Sequence, residues 1–190
     1  LTCALLRKFW DKDTVEKTHP QVHDFLYKQK AADQRAEKSQ RDKKFDRQKN
    51  LLKVKVSCVK ERMLFATEYM LKPNLGEYTK SSGEIPAKPN QPIRIEFDNP
   101  DATPHNFVLV QPNSLEEVGL AANEMAKDPV AAKSGQFIPK SKKIIVHSRM
   151  LKQGEKETLR FKAPRKPGRY PYLCSFPGHW TIMKGVLVVK

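Results

Sequence analysis

The sequence predicts an all-β fold, a sandwich of about eight short strands with one embedded helix, preceded by a charged helical extension. Three observations carry this. From Leu51 onward most apolar residues recur with a period of two, in short runs separated by Gly, Pro and Asn. Strands and helices do not alternate, which excludes a parallel βαβ architecture. Residues 11–50, by contrast, are highly charged, lack glycine and hold proline only at Pro20.

Residues 1–50 form the expected extension or linker, and residues 51–190 the expected domain. In the extension, Thr18 ahead of His19 and Pro20 reads as a helix N-cap followed by proline near the first turn. Val22, Phe25 and Leu26 give one short apolar stripe, after which little more than Ala31, Ala32, Ala36 and Phe45 is apolar. This is a solvated helix of up to ~45 Å, too polar to make a core.

The period then changes. Val54, Val56 and Cys58 alternate with Lys53, Lys55 and Ser57 as a half-buried strand, and Met63 to Leu71 is a second extended run. Lys72 to Pro92 reads as a turn-rich insertion without strands. Ile93, Ile95 and Phe97 alternate again, and "HNFVLVQ" gives the next strand. Ser114 with Glu117 makes a capping box for a helix through Leu115, Val118, Ala122 and Met125 that ends near Asp128 and Pro129. Extended segments follow at Lys143 to His147, Glu157 to Lys162, Arg169 to Leu173 and Gly185 to Val189. Tyr170 and Tyr172 share a strand face with Cys174 and are expected in the core.

Composition limits function. With 36 Lys and Arg against 21 acidic residues the formal charge is +15, so anionic partners are attracted in a salt-dependent way. Nucleic acid is disfavoured as that partner, because residues 1–53 mix 14 basic with 8 acidic side chains and lack aromatic interleaving. No apolar stretch nears the roughly 20 residues that span a bilayer, so no membrane span is expected. Three cysteines cannot all pair within the chain, which excludes a disulfide scaffold. Cys58 is expected as a buried free thiol; Cys3 has no reading. The chain starts at Leu1 instead of Met and is expected to be a processed protein or a fragment of a longer one.

The chemistry concentrates at the end of the chain, where Cys174-x4-His179-x3-Met183 lies between two strands. Upstream, His105 opens the apolar run "HNFVLV". Two imidazoles, one thiolate and a weak thioether form the ligand set of a blue-copper electron-transfer centre, in which soft sulfur suits Cu(I) and imidazole suits both oxidation states. His19 and His23, four apart, have no carboxylate or thiolate company and read as solvated histidines. His147 reads as an exposed strand end.

"CSFPGHWTIMKG" and "VHSRMLKQGEKETLRF" resemble the ligand loop and preceding strand pair of the azurin-like type 1 copper proteins, the cupredoxins, over roughly residues 51–190. The resemblance implies a Greek-key sandwich holding one copper ion, with His105, Cys174 and His179 equatorial and Met183 axial. It implies that Asn106 ties the His105 segment to the ligand loop and that the Ser175 amide donates to the sulfur. Three departures are plain. Pro104 stands where azurins carry glycine; Cys58 lacks the disulfide partner azurins place near residues 90–92; the charged helix and the 72–92 insertion have no azurin counterpart.

Function follows as an expectation. The chain is an electron carrier or relay domain and not an enzyme, working in the bacterial periplasm with redox partner proteins of acidic surface, or inside a larger multidomain protein. Electrons pass through His179, ringed by Phe176, Pro177, Trp180, Ala102 and Pro104. A copper oxidase or nitrite reductase would need further histidines, and no His-x-His pair is present. The remaining alternative is a redox-silent structural or copper-delivery module docked to a larger assembly through the basic N-terminal helix.

Overall fold

The computed structural model describes residues 20–59, 64–70, 78–81 and 83–190. The chain divides after Phe45 into two units. Helix α1, Pro20–Asp46, supplies through Phe45 the described part of the first, and none of its residues is buried. Of its large apolar side chains, Val22, Phe25 and Tyr27 are exposed, and Leu26 and Phe45 are half-buried. A Lys28–Asp24 pair one turn apart adds a few tenths of a kcal/mol to such a solvated helix. The expected Thr18 cap, with His19 and Cys3, lies outside the described residues.

The second unit is a β-sandwich. Its strands are β1 (Leu52–Val59), β2 (Leu64–Met70), β3 (Tyr78–Ser81), β4 (Glu84–Ala87), β5 (Pro92–Asp98), β6 (Val108–Val110), β7 (Ile144–His147), β8 (Lys156–Lys162), β9 (Gly168–Leu173) and β10 (Lys184–Val189). They form two sheets of five, ordered β3-β2-β1-β5-β8 and β4-β10-β9-β6-β7. Pairing is antiparallel except for β1 with β5 and β10 with β4.

The period-two pattern explains the core. Val54, Val56 and Cys58 of β1 and Ile93, Ile95 and Phe97 of β5 meet Ile85, Leu109, Tyr172 and Leu187 of the other sheet. Phe107 stacks on Tyr172 with ring centroids 4.8 Å apart. Tyr172 also lies over Gly185, where an added Cβ would meet its ring at 2.3 Å and the Gly83 carbonyl at 2.4 Å. β10 therefore tolerates no side chain there.

Eight of these strands match the expected segments. β3 and β4 correct the strandless insertion, and both are four residues long at sheet edges. β4 contains Pro86, which an edge strand accepts because one side of its backbone needs no donor.

Between β6 and β7 lie α2 (Leu115–Lys127) and a short helix α3 (Pro129–Ser134) that the sequence reading omitted. Asp128 ends α2 and caps α3, its carboxylate accepting from the Val130 amide at 2.8 Å. The capping box at α2 is not formed. Ser114 has φ −110° and ψ 6°, away from the extended conformation that aims a cap oxygen at the helix, and its side chain makes no cap hydrogen bond. Glu116 and Glu117 still place negative charge at the positive end of the helix.

Where the second unit begins, Asp46 accepts from Arg160 Nε at 3.0 Å and Nη2 at 2.9 Å, with Arg94 Nη1 at 3.4 Å. The Arg160 hydrogen bond chiefly lowers its pKa from 3.8, opposed by burial and helped by the charges of Arg160, Arg94 and Lys53. A depressed carboxylate stabilises the fold above its ordinary pKa and stops doing so as pH falls through its lowered value. Asp46→Asn is thus expected to cost about 1 kcal/mol at neutral pH. Urea titrations of both proteins should show that difference closing in acid, below the ordinary carboxylate pKa; a constant difference would refute this assignment.

Candidate metal centre

β9 delivers Cys174 and β10 begins just after Met183, so the loop between them must close on itself. It does so through Cys174 N donating to Met183 O at 3.0 Å. Inside this neck His179 N donates to Phe176 O at 3.0 Å, and Met183 N to His179 O at 2.7 Å, across the 3-10 turn His179–Thr181. Gly178, at φ 83°, supplies the left-handed residue that starts this turn. Its amide donates to Asn123 Oδ1 on α2 at 2.9 Å. α2 also holds Trp180: an added Cβ at Gly119 would stand 2.3 Å from the indole, so the glycine is the seat of that ring.

His105 arrives from the other side of the site, just before β6. Its backbone makes a reciprocal bridge with Leu151, N to O at 3.0 Å and O from N at 2.7 Å. Asn99 Nδ2 braces the same segment by donating to Thr103 O at 2.8 Å and Leu151 O at 3.0 Å.

The three side chains converge. Cys174 Sγ lies 3.7 Å from His105 Nδ1 and 3.8 Å from His179 Nδ1, and the two nitrogens are 3.3 Å apart. Those edges define a point roughly 2.1 Å from all three atoms, the distance range of metal bonds from imidazole and thiolate. The donor atoms are buried. His105 and Cys174 are closed off entirely, whereas the His179 residue is half-buried. Among the described residues this is the group of His, Cys and acidic side chains able to hold a metal ion. Met183 is fully buried in the same core cluster as Cys174.

Without a cation the site favours neutral groups. Burial lifts the Cys174 thiol to about 11, against the backbone amides of Asn106 and Phe176, which donate to the sulfur. Burial, then repulsion from His105, pushes His179 down to about 4 despite Asp101. Burial also lowers His105, with Asp101 opposing. Two neutral imidazoles and a thiol aimed at one point are matched by a soft cation that converts the thiol to thiolate.

Asn106 performs the expected tie. Its Nδ2 donates to Ser175 Oγ at 2.8 Å, and its Oδ1 accepts from Ser175 N at 2.7 Å. The expected Ser175 amide bond to sulfur is corrected by the same contact, since Asn106 occupies that amide. The sulfur takes the amides of Asn106 and Phe176 instead. Cys58 is buried and free, as expected. His23 lies in α1, stacked on Tyr27 at 6.3 Å, and His147 pairs its Nδ1 with Ser148 O at 3.1 Å; neither joins the cluster. The sequence reading missed Asp101, whose Oδ2 lies 3.3 Å from His105 Nε2. The Asn-Pro-Asp-x-Thr run, rich in turn-forming side chains, was the available signal.

Phe176 covers His179 with ring centroids 4.6 Å apart, and Phe137 meets Phe176 edge-on at 5.7 Å. The half-buried imidazole thus sits in an apolar frame at the surface.

Comparison with known proteins supports the geometry. A family model described as copper-binding proteins of the plastocyanin/azurin family matches residues 80–190. Auracyanin-B of Chloroflexus aurantiacus is 32% identical over 138 residues, covering 70% of this chain and 55% of that protein. Auracyanin-A of the same organism is 32% identical over 109 residues, 56% of this chain and 64% of that protein. The chain thus spans somewhat over half the length of these relatives. Azurin of Achromobacter denitrificans is 36% identical over 89 residues, 44% of this chain and 54% of that protein. Among solved structures, a dithionite-reduced auracyanin of Roseiflexus castenholzii aligns with TM-score 0.54 and 28% identity, covering 74% of this chain and 97% of that one. Auracyanin A, described as a blue copper protein, aligns with TM-score 0.56 and 25% identity, covering 74% and 99%. A buried His, Cys, His cluster, a two-sheet β-sandwich and a match over most of that sandwich lead to one conclusion: the chain belongs to the plastocyanin/azurin family of copper-binding proteins.

Proposed function

We propose that His105 Nδ1, Cys174 Sγ and His179 Nδ1 would hold one copper ion, with the Met183 thioether as a weaker fourth ligand, and that the chain transfers single electrons. The observation that carries this reading is the triangle of buried donor atoms, 3.3 to 3.8 Å on its edges. When bound, copper supplies a one-electron Cu(II)/Cu(I) couple. The chain's own part is to keep the donors still while charge changes. The reciprocal His105–Leu151 bridge, the Asn106–Ser175 pair and the Cys174–Met183 neck fix three sides of the cluster. A rigid, buried site changes little between oxidation states and releases its ion slowly, which argues against copper delivery.

His179 is the proposed route for electrons. Its Nδ1 is buried at the cluster while the residue reaches the surface, so the outer ring edge bridges metal and partner. Ala102 is exposed, and Pro104, Phe176, Pro177 and Trp180 around it are half-buried, an apolar rim suited to brief contact. The +15 charge favours an acidic redox partner, met at a salt-dependent rate. The chain acts as a carrier or relay domain, not an enzyme, in the bacterial periplasm; residues 1–50 serve as linker or docking arm. Among the described residues no helix is long and apolar enough to cross a membrane.

Purified protein titrated with Cu(II) is expected to bind one equivalent and develop an intense visible sulfur-to-copper band that a one-electron reductant bleaches reversibly. A colourless complex would overturn the proposal.

A further inference from the structure

We propose that Asp101 is a positioning residue for this centre: its carboxylate holds the His105 ring with Nε2–H outward and the Nδ1 lone pair toward Cys174, and it sets a negative charge one imidazole away from the ion. The inference rests on the copper reading above. His105 is 1% exposed, and the Asp101 Oδ2 atom lies 3.3 Å from its Nε2. A neutral imidazole carries one proton on one of two nitrogens, and a carboxylate only accepts. The Nε2–H form meets that acceptor with a donor. The Nδ1–H form would aim the Nε2 lone pair at carboxylate oxygen and put the proton on the nitrogen that faces the cluster, 3.3 Å from His179 Nδ1.

Asp101 is itself held for the task. Its amide donates to Asn99 Oδ1 at 2.9 Å, and the amides of Ala102 and Thr103 donate to its carboxylate. Asn99 in turn grips Thr103 O and Leu151 O, and Leu151 is the backbone partner of His105. One network therefore fixes both ends of the hydrogen bond. A carboxylate in this place also differs from a neutral acceptor: it makes the imidazole a stronger donor and favours the ion state of higher charge.

Two variants of the full chain separate orientation from charge. In metal-free protein, nitrogen-15 NMR of the imidazoles should show His105 as the Nε2–H tautomer, and Asp101→Ala should populate the Nδ1–H form and weaken Cu(II) binding about 10- to 100-fold. Asp101→Asn keeps shape and an acceptor oxygen, so it should keep the tautomer while lowering the preference for Cu(II) over Cu(I) about tenfold, a rise of about 59 mV in reduction potential. An unchanged tautomer and affinity in Asp101→Ala, or an unchanged or lowered potential in Asp101→Asn, would overturn the proposal. A wild-type protein without the visible copper band would overturn the copper reading instead, and the metal-free tautomer comparison would still decide the role of Asp101.

Discussion

Cys174→Ser is expected to abolish the visible band of the copper-loaded protein completely and to weaken Cu(II) binding by more than about 100-fold, since outer partners of a metal site alone are worth about 10- to 100-fold. The band arises from electron density on a thiolate bonded to copper, and among the described residues no other thiol lies in the cluster, Cys58 being outside it. A serine hydroxyl ionises far less readily than a thiol. It is also shorter, so its oxygen would sit farther from His105 Nδ1 and His179 Nδ1 than the present 3.7 and 3.8 Å. The fold should survive, because the Cys174–Met183 neck is a backbone bond and the substitution removes no ring or branched group. The stability cost is about 1 kcal/mol for burying a hydroxyl with imperfect partners. Absorption and electron-spin spectra of copper-loaded variant and wild type, with circular dichroism of both, provide the check. A surviving intense band would mean that the sulfur is not a ligand.

This prediction could be written from the sequence because the chemistry lies in one short loop. Cys174, His179 and Met183 sit within ten residues between two apolar strands, so antiparallel pairing of β9 and β10 leaves them little choice of place. His105 was legible for a different reason, opening the next apolar strand of the same sheet. β1 and β5 were equally plain, since Val54, Val56, Ile93, Ile95 and Phe97 alternate without interruption. β3 and β4 were not, being four residues each among turn formers, with Pro86 inside β4. β3 pairs with its chain neighbour β2, but β4 takes its pairing from β10, far away in sequence, and local pattern carries no record of it. The same limit hid Asp101. The run around residue 101 signals a turn but not that its carboxylate reaches forward four positions to a buried ring, because the turn that aims it is assembled by Asn99 and by Leu151, some fifty residues away.

The Ser175 amide shows the limit at finer scale. The resemblance correctly put Asn106 against the ligand loop but assigned the Ser175 amide to sulfur. That N–H points at Asn106 Oδ1, and the sulfur is served by the amides of Asn106 and Phe176. An amide has one proton, and which acceptor takes it is fixed by tenths of an ångström that residue identities do not encode. The correction raises the importance of Asn106, which now acts on the thiolate twice, through its own amide and through its side chain.

Asn106→Leu is accordingly the second large effect expected, and it falls on stability and site together. Asn106 is fully buried, and its side chain joins residues 69 positions apart through two short hydrogen bonds. Leucine fills a similar volume but leaves the Ser175 amide and hydroxyl, also fully buried, without these partners. A buried polar group stripped of its partner costs about 1–3 kcal/mol, so the pair should cost about 3 kcal/mol and lower Tm by about 6–12 °C. Ser175→Ala removes only the hydroxyl bond and should cost about 1 kcal/mol, and adding it to Asn106→Leu should cost less than the sum because both act on one network. With the loop released from the His105 segment, the visible band of the copper-loaded Asn106→Leu protein should shift and weaken while still being present, in contrast to its loss in Cys174→Ser. Calorimetry of the three variants beside wild type, with their copper spectra, measures both effects. Additive costs and an unaltered band would show that Asn106 and Ser175 pack side by side without holding the metal loop in place.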